Sequence, residues 1–137
     1  MEINIEHLKF IQTIITRMNT NSFMIKGWSL TITSAFLALY SSSNNIKFVL
    51  VAIIPIVFFW FLDAYYLQQE RKFHGIYNDV AQLTTEEERV HVRMFEMPID
   101  KYRNGKYCYC DVMSSRTILP FYLLLIFTLG IAYVYLR

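Results

Sequence analysis

The sequence lacks the residue patterns on which most enzymes and metal proteins depend. No G-x-S-x-G, H-E-x-x-H, phosphate-binding-loop or dinucleotide-binding fingerprint occurs in its 137 residues. Its three histidines are far apart, and its only two cysteines are spaced C-x-C at positions 108 and 110. A structural zinc site needs a second pair of ligands. We therefore expect no enzyme, no cofactor and no metal site.

Internal repeats, low-complexity linkers and a recognisable cleavable signal peptide are also absent. The first 25 residues are amphipathic and partly acidic, and no small-residue cleavage site follows the first apolar block. Apolar side chains, in contrast, are abundant, since 55% of the residues are hydrophobic and 17% aromatic. They are concentrated in blocks, which is typical of a membrane protein.

Three apolar blocks predict three membrane-spanning helices. Two of them lie back to back between Lys26 and Arg71, joined by a polar turn, and predict spans over 28–43 and 47–67. The third, from Ile118 to Leu136, has no charged residue and as a helix is roughly 28 Å long, enough to cross the hydrocarbon. We predict an all-α polytopic membrane protein with an amphipathic N-terminal helix and a small mixed cytosolic loop.

The basic residues indicate how these helices are oriented. Of the 13 Lys and Arg residues, three precede residue 27, eight lie between 71 and 116, and two lie elsewhere. Because basic residues accumulate on the cytosolic side, we expect the N-terminus and the 71–116 loop in the cytosol of a bacterium and the C-terminus outside its inner membrane. The predicted parts are a cytosolic helix (1–26), a transmembrane hairpin (27–67), a cytosolic stalk and loop (68–116) and a third span (117–137).

The cytosolic parts carry weaker patterns. Helical periodicity over 3–25 predicts an amphipathic helix that packs on protein in preference to lipid. The same periodicity continues the second span as a stalk to Leu83, with a bend at Gly75. A capping-box pattern at 85–88 predicts a short helix, and alternation at 90–94 and 107–110 around Asn104-Gly105 predicts a small hairpin.

Asp63 is the charged residue that most needs an explanation. It lies among aromatic residues at the cytosolic end of the second span, where an unpaired carboxylate is costly. If the hairpin turns near Asn44, Lys26 comes level with Asp63, so we predict an Asp63–Lys26 pair, with Arg71, two turns along the same helix, as the second option for the partner. The alternative is a proton or cation site at a pore mouth.

A stripe of small residues runs along the first span. Such spacing allows close approach of helices in lipid, and the neighbouring hydroxyls of Ser29, Thr33 and Ser34 are read as packing groups or, alternatively, as a pore lining. Pro55 in the second span predicts a kink. The residues of the stripe are Gly27, Thr31, Ala35, Ala38 and Ser42.

Basic and aromatic residues alternate in the loop around position 103. Lys101, Tyr102, Arg103 and Lys106 are candidates for contact with lipid headgroups, an anionic ligand or a partner protein. Alternatively, their charge does no more than set the topology of the membrane helices, and it is diluted by nearby Asp100 and Asp111. Nothing in the sequence indicates nucleic-acid binding directly.

The strings NSFMIKGWSLT and FWFLDAYYLQQERKFHGIYNDV, with MPIDKY and DVMSSRTIL, carry a resemblance. The chain resembles a group of small bacterial inner-membrane proteins with the same order of parts, to which no activity is attached, so no functional residue is carried over. Its layout is also similar, in architecture alone, to two-helix transmembrane effector domains of anti-phage and nucleotide-signalling systems.

Two functions fit this sequence. The first is a homo-oligomeric inner-membrane protein that permeabilises or depolarises the membrane when its cytosolic part is engaged, because three helices alone do not enclose a transport path. The second is a non-conducting anchor or accessory subunit that holds a cytosolic protein partner. Both have the lipid bilayer as their first partner.

Overall fold

A computed structural model describes residues 2–136, with side chains from Ile5 onward. These residues contain helices, turns and irregular segments, and no strand. Helix α1 covers Glu2–Ser43, and α2 covers Lys47–Val80. After two 3-10 turns at Ile99–Lys101 and Gly105–Tyr107 come the short α3, Tyr109–Met113, and α4, Leu119–Tyr135.

The amphipathic segment and the first span form one helix of 42 residues. No helix breaker separates them, since Gly27 disfavours a helix by only about 1 kcal/mol relative to alanine. The helix ends at Ser43, and the left-handed φ of 51° at Asn44, with its N–H donating to Tyr40 O, is a usual C-terminal cap. Helix α2 likewise runs through Pro55 and Gly75 without interruption.

The periodicity predicts that the second helix continues to Leu83, but helix α2 ends at Val80. Gln82 adopts a φ of 59°, its N–H donates to Asp79 O, and Leu83 N–H donates to Asn78 O. These two bonds form a Schellman cap. Glycine is the usual residue at the left-handed position, so a glutamine there does not mark the end of the helix in the sequence.

Helices α1 and α2 are each long and apolar enough to cross a membrane. Only 22% of the apolar window in α1 and 28% of that in α2 are buried, so most residues of these windows are at least partly exposed. Helix α4 is apolar but has 17 residues, about 26 Å at a rise of ~1.5 Å per residue. This is shorter than the usual ~20-residue span, and a third transmembrane helix stays a prediction.

Contacts divide the chain into two compact units. Unit 1 comprises Met1–Asn21 and Tyr65–Val112, and unit 2 comprises Ser22–Ala64 and Met113–Arg137. Within unit 1 a hydrophobic core forms from α1, α2 and the loop. Its buried members are Ile11, Ile15, Phe73, Ile76 and Tyr102.

The predicted β-hairpin of unit 1 is wrong. Val90 and Val92 lie in an irregular segment and pack against the core, while Gly105 opens a 3-10 turn with a φ of 64°. The predicted helix at 85–88 is a single turn closed by Glu88 N–H donating to Thr85 O. A short alternating pattern does not form a strand without a partner strand, and here the two valines pack against the core instead.

Candidate functional site

Asp63 is the centre of a polar cluster in unit 2. Its side chain is fully buried, and its Oδ2 lies 2.6 Å from Lys26 Nζ. The Ser22 hydroxyl donates to Oδ1, and the Tyr122 hydroxyl donates to Oδ2 at 3.1 Å. Lys26 Nζ also donates to Ser22 Oγ at 3.0 Å. Three donors therefore converge on one carboxylate, and one of them carries the opposite charge.

Each member of the cluster is brought there by a regular helical feature. Ser22 and Lys26 lie one turn apart on α1, in a stripe that also buries Ile25, Ser29 and Thr33. On α4 the buried positions are Tyr122, Leu125, Leu129 and Ala132, spaced by three and four residues. The cluster thus joins α1, α2 and α4 through one carboxylate.

Aromatic packing holds Tyr122 in place. Its ring stacks on Trp60 with centroids 6.0 Å apart and planes 8° apart, and the Trp60 Nε1–H donates to Met113 O at 3.4 Å. The Tyr122 hydroxyl also lies 3.3 Å from Phe59 O. A rigid ring presents its hydroxyl to Asp63 with little loss of side-chain entropy, which favours a permanent contact.

The other residues that the sequence singles out in unit 2 have simpler surroundings. Ser29 and Thr33 are buried, and their hydroxyls donate to the carbonyls of Ile25 and Ser29 in their own helix. Pro55 lies inside α2, half-buried. The small-residue stripe of Gly27, Thr31, Ala35, Ala38 and Ser42 is exposed, because the face with Ile25 and Tyr40 is the one that packs within the unit.

Arg71 does not join Asp63. It lies in unit 1, where its Nη1 donates to Lys106 O at 2.8 Å and lies 3.4 Å from Asp111 Oδ2. Of the basic and aromatic loop residues, Lys101, Tyr102 and Lys106 line one cavity of about 310 Å³. Arg103 is exposed and pairs with Asp100 at 3.1 Å.

Only 5% of the Tyr102 surface is exposed, so its side chain does not form part of a surface that a partner protein could contact. Its hydroxyl donates to Asp79 Oδ2, which also accepts the Val90 N–H at 3.4 Å. Asp79 itself is 7% exposed. This second buried carboxylate was not recognised in the sequence, although it falls beside Ile76 and Val80 on the apolar face of α2.

The chain matches no protein-family model, no curated protein and no solved structure. What this chain does must therefore be inferred from its two polar clusters, its exposed surfaces and its pattern of charge.

Tyr102 gives unit 1 a defined response to alkaline pH. Burial, the hydrogen bond to Asp79 and the charge of that carboxylate hold the pKa of Tyr102 well above its ordinary value. The unfolded chain loses this phenolic proton above pH ~10, whereas the folded chain keeps it. The stabilisation is therefore complete below pH ~10 and declines as the pH rises beyond that value.

We expect the free energy of unfolding to fall less steeply between pH ~10 and 12 in Tyr102→Phe than in the wild type. Chemical unfolding followed by circular dichroism at several pH values measures this slope. Tyr135→Phe, at an 82% exposed position, is the matched control and is expected to keep the wild-type slope. Equal slopes for Tyr102→Phe and wild type would refute the prediction.

Proposed function

We propose that this chain is a non-conducting anchor or accessory subunit of a bacterial inner membrane, which holds a cytosolic protein partner. The observation that carries the proposal is that the two units suit different surroundings, unit 2 a lipid bilayer and unit 1 water. Unit 2 exposes apolar side chains such as Ile54, Phe58, Leu124 and Phe127. Unit 1 has a core of its own and a largely polar loop.

The Asp63 cluster supports an anchor more than a conduction path. A carboxylate that already accepts from Ser22, Lys26 and Tyr122 has little capacity left for a permeating ion. The Ser29 and Thr33 hydroxyls are bonded within their own helix. Polar groups that are satisfied in this way stabilise helix association in lipid.

The proposed arrangement has three spanning helices, with the N-terminus and the 71–116 segment in the cytosol. It is supported by the eight basic residues of that segment and the three before residue 27. The exposed thiols of Cys108 and Cys110 are native probes of this topology, since both lie in unit 1.

We expect a membrane-impermeant maleimide to label Cys108 and Cys110 in inside-out vesicles and not in intact spheroplasts. A Ser43→Cys variant, at the exposed last residue of α1, is expected to show the opposite pattern. Labelling of the native cysteines from outside the cell would overturn the orientation.

The anchor function is tested by the partner that it requires. Mild solubilisation and affinity capture of the full chain is expected to recover a cytosolic protein in fixed stoichiometry. Lys101→Glu with Arg103→Glu, both exposed, is expected to abolish its recovery, whereas Lys47→Glu is expected to keep it. A chain that is captured alone from several growth conditions would contradict the proposal.

A second candidate function is the permeabilising or depolarising homo-oligomer. The exposed small-residue stripe of α1 favours it, because such a stripe allows close helix contacts between copies. Ala35→Leu is then expected to dissociate the detergent-solubilised particle and to abolish depolarisation of the membrane, whereas Val51→Leu on α2 leaves both unchanged. A monomeric wild-type particle would exclude this function.

A further inference from the structure

A polar cavity of about 240 Å³ lies inside unit 1, apart from the Asp63 cluster. Its polar lining residues are His7, Asp79, Gln82, Arg89 and His91. The volume is slightly below the ~300–1,000 Å³ of pockets that hold drug-sized ligands. The cavity therefore fits a small metabolite or an inorganic ion.

Two buried nitrogen atoms of the lining have no hydrogen-bond partner among the described residues. They are His7 Nε2 and Arg89 Nε. Only 2% of the His7 surface is exposed, so bulk water does not hydrate this residue. Buried polar groups in folded proteins are nearly always paired, and an exception calls for an explanation, such as a bound water or ion.

The chemistry of the two nitrogens defines that partner. Arg89 Nε carries a hydrogen at every accessible pH, so it needs an acceptor, and His7 Nε2 is a donor in one neutral tautomer and in the imidazolium. A carboxylate or phosphate, which has several acceptor oxygens, fits both groups. A metal ion does not, because a guanidinium nitrogen is no ligand, and the described residues contain no group of three metal-ligating side chains.

The remaining groups of the lining are compatible with an anion. The Asp79 carboxylate already accepts hydrogen bonds from Tyr102 and from Val90 N–H. The Arg89 guanidinium is oriented by two carbonyls, since Nη2 donates to Thr84 O at 2.9 Å and to Gln82 O at 3.5 Å. Glu86 approaches Arg89 Nη1 to 3.7 Å from an exposed position, so it leaves Nε free.

Two residues with left-handed backbone and one aromatic ring lie at or next to the residues that line this cavity. Gln82 and Phe95 both have φ values of 59°, which is uncommon for residues other than glycine. The ring of Phe95 contacts that of His7, with centroids 5.6 Å apart. Residues in such conformations persist only where their surroundings determine them.

We propose that the His7–Arg89 cavity binds a small oxyanion, either a carboxylate or a phosphate. The site lies wholly within unit 1, so the proposal does not depend on the anchor function. It adds a ligand to this unit, whichever protein the chain holds.

The test is a titration of the purified full-length chain in detergent with inorganic phosphate and, separately, with succinate. The readout is the ¹⁵N spectrum of labelled histidine, in which three residues contribute. We expect one of the two anions to shift the His7 resonances saturably and to raise the thermal midpoint. The anion that does so distinguishes phosphate from carboxylate.

Arg89→Lys keeps the charge but removes the Nε–H, and is expected to weaken binding about tenfold, the loss of one charge-assisted hydrogen bond. Arg93→Lys, at an exposed position, is the matched control and keeps wild-type binding. If Arg89→Lys fails to fold, His7→Gln, followed by the thermal midpoint, replaces it and is expected to weaken binding similarly.

Three results would overturn the proposal. The first is the lack of a saturable shift with either anion, which means that water alone occupies the cavity. The second is equal binding by Arg89→Lys and Arg93→Lys. The third is binding that is lost in Lys106→Gln and kept in Arg89→Lys, which assigns the anion to the neighbouring cavity lined by Lys101 and Lys106.

Discussion

Replacement of Asp63 by alanine is expected to lower the free energy of unfolding by about 3–5 kcal/mol, the usual loss when one partner of a buried ion pair is removed. The variant leaves Lys26 with 18% of its side chain exposed and without a counter-charge. It also leaves the hydroxyls of Ser22 and Tyr122 without their acceptor. Unfolding in mixed detergent micelles, followed by circular dichroism, measures the loss.

The matched control is Asp100→Ala. Asp100 also pairs with a basic residue, Arg103 at 3.1 Å, but its side chain is 91% exposed. Exposed pairs contribute about 0–1 kcal/mol, so this variant is expected to be nearly as stable as the wild type. Equal losses for the two variants would show that burial of Asp63 does not matter.

A double variant separates the effect of the pair from that of a stranded charge. Asp63→Leu together with Lys26→Met removes both charges and keeps the volume of the side chains. Replacing a buried ion pair by apolar residues is often neutral, so we expect the double variant to recover most of the loss. If the double variant does not recover, the loss in Asp63→Ala comes mainly from the hydrogen bonds that Ser22 and Tyr122 donate to Asp63.

Some of this cluster follows from the sequence, and some does not. Lys26 and Asp63 come level because the polar turn near Asn44 fixes how the two spans face each other. Tyr122 was missed because it reaches the cluster from a helix that is distant in the sequence, and an aromatic residue in an apolar block carries no sign of its partner. Ser22 was missed because a serine on an amphipathic helix is ordinary.

The helices were more predictable than the loop for a physical reason. In α1 and α2 the apolar periodicity extends over many turns, so local preference and packing agree. Between Val80 and α4 no such agreement exists. There the conformation of the chain is determined by single hydrogen bonds. Examples are the Val90 N–H donating to the Asp79 carboxylate and the Gln68 amide donating to Tyr107 O at 2.9 Å.

The small-residue stripe shows a further limit of sequence reasoning. The pattern from Gly27 to Ser42 predicts close packing, yet within this chain the opposite face of α1 is the buried one. Both faces carry small or polar residues at helical spacing. The choice between them depends on Ser22, Lys26 and Tyr40, whose partners lie on α2 or just after α4, so a single helix does not reveal it.

Replacement of Gly75 by alanine is expected to destabilise unit 1, although the same change stabilises most helices. A methyl group at Gly75 would lie 2.5 Å from Tyr107 Oη and 2.9 Å from two ring carbons of Tyr102. Tyr102 has little freedom to move, because its hydroxyl is bonded to Asp79 and its ring packs edge-on against Tyr107 at 5.4 Å. The sequence predicts a bend at this glycine, and the structure shows that its backbone lies close to Tyr102 and Tyr107.

We expect Gly75→Ala to lower the free energy of unfolding by roughly 1–3 kcal/mol, the usual cost of overpacking a core. Gly27→Ala is the matched control in α1, because the added methyl group would meet no atom within 4 Å apart from its chain neighbours and the adjacent backbone of its own helix. That variant is expected to be as stable as the wild type or up to about 1 kcal/mol more stable, through helix propensity alone. Limited proteolysis of the 81–112 segment measures unit 1 directly, and faster cleavage in Gly27→Ala than in Gly75→Ala would contradict this account.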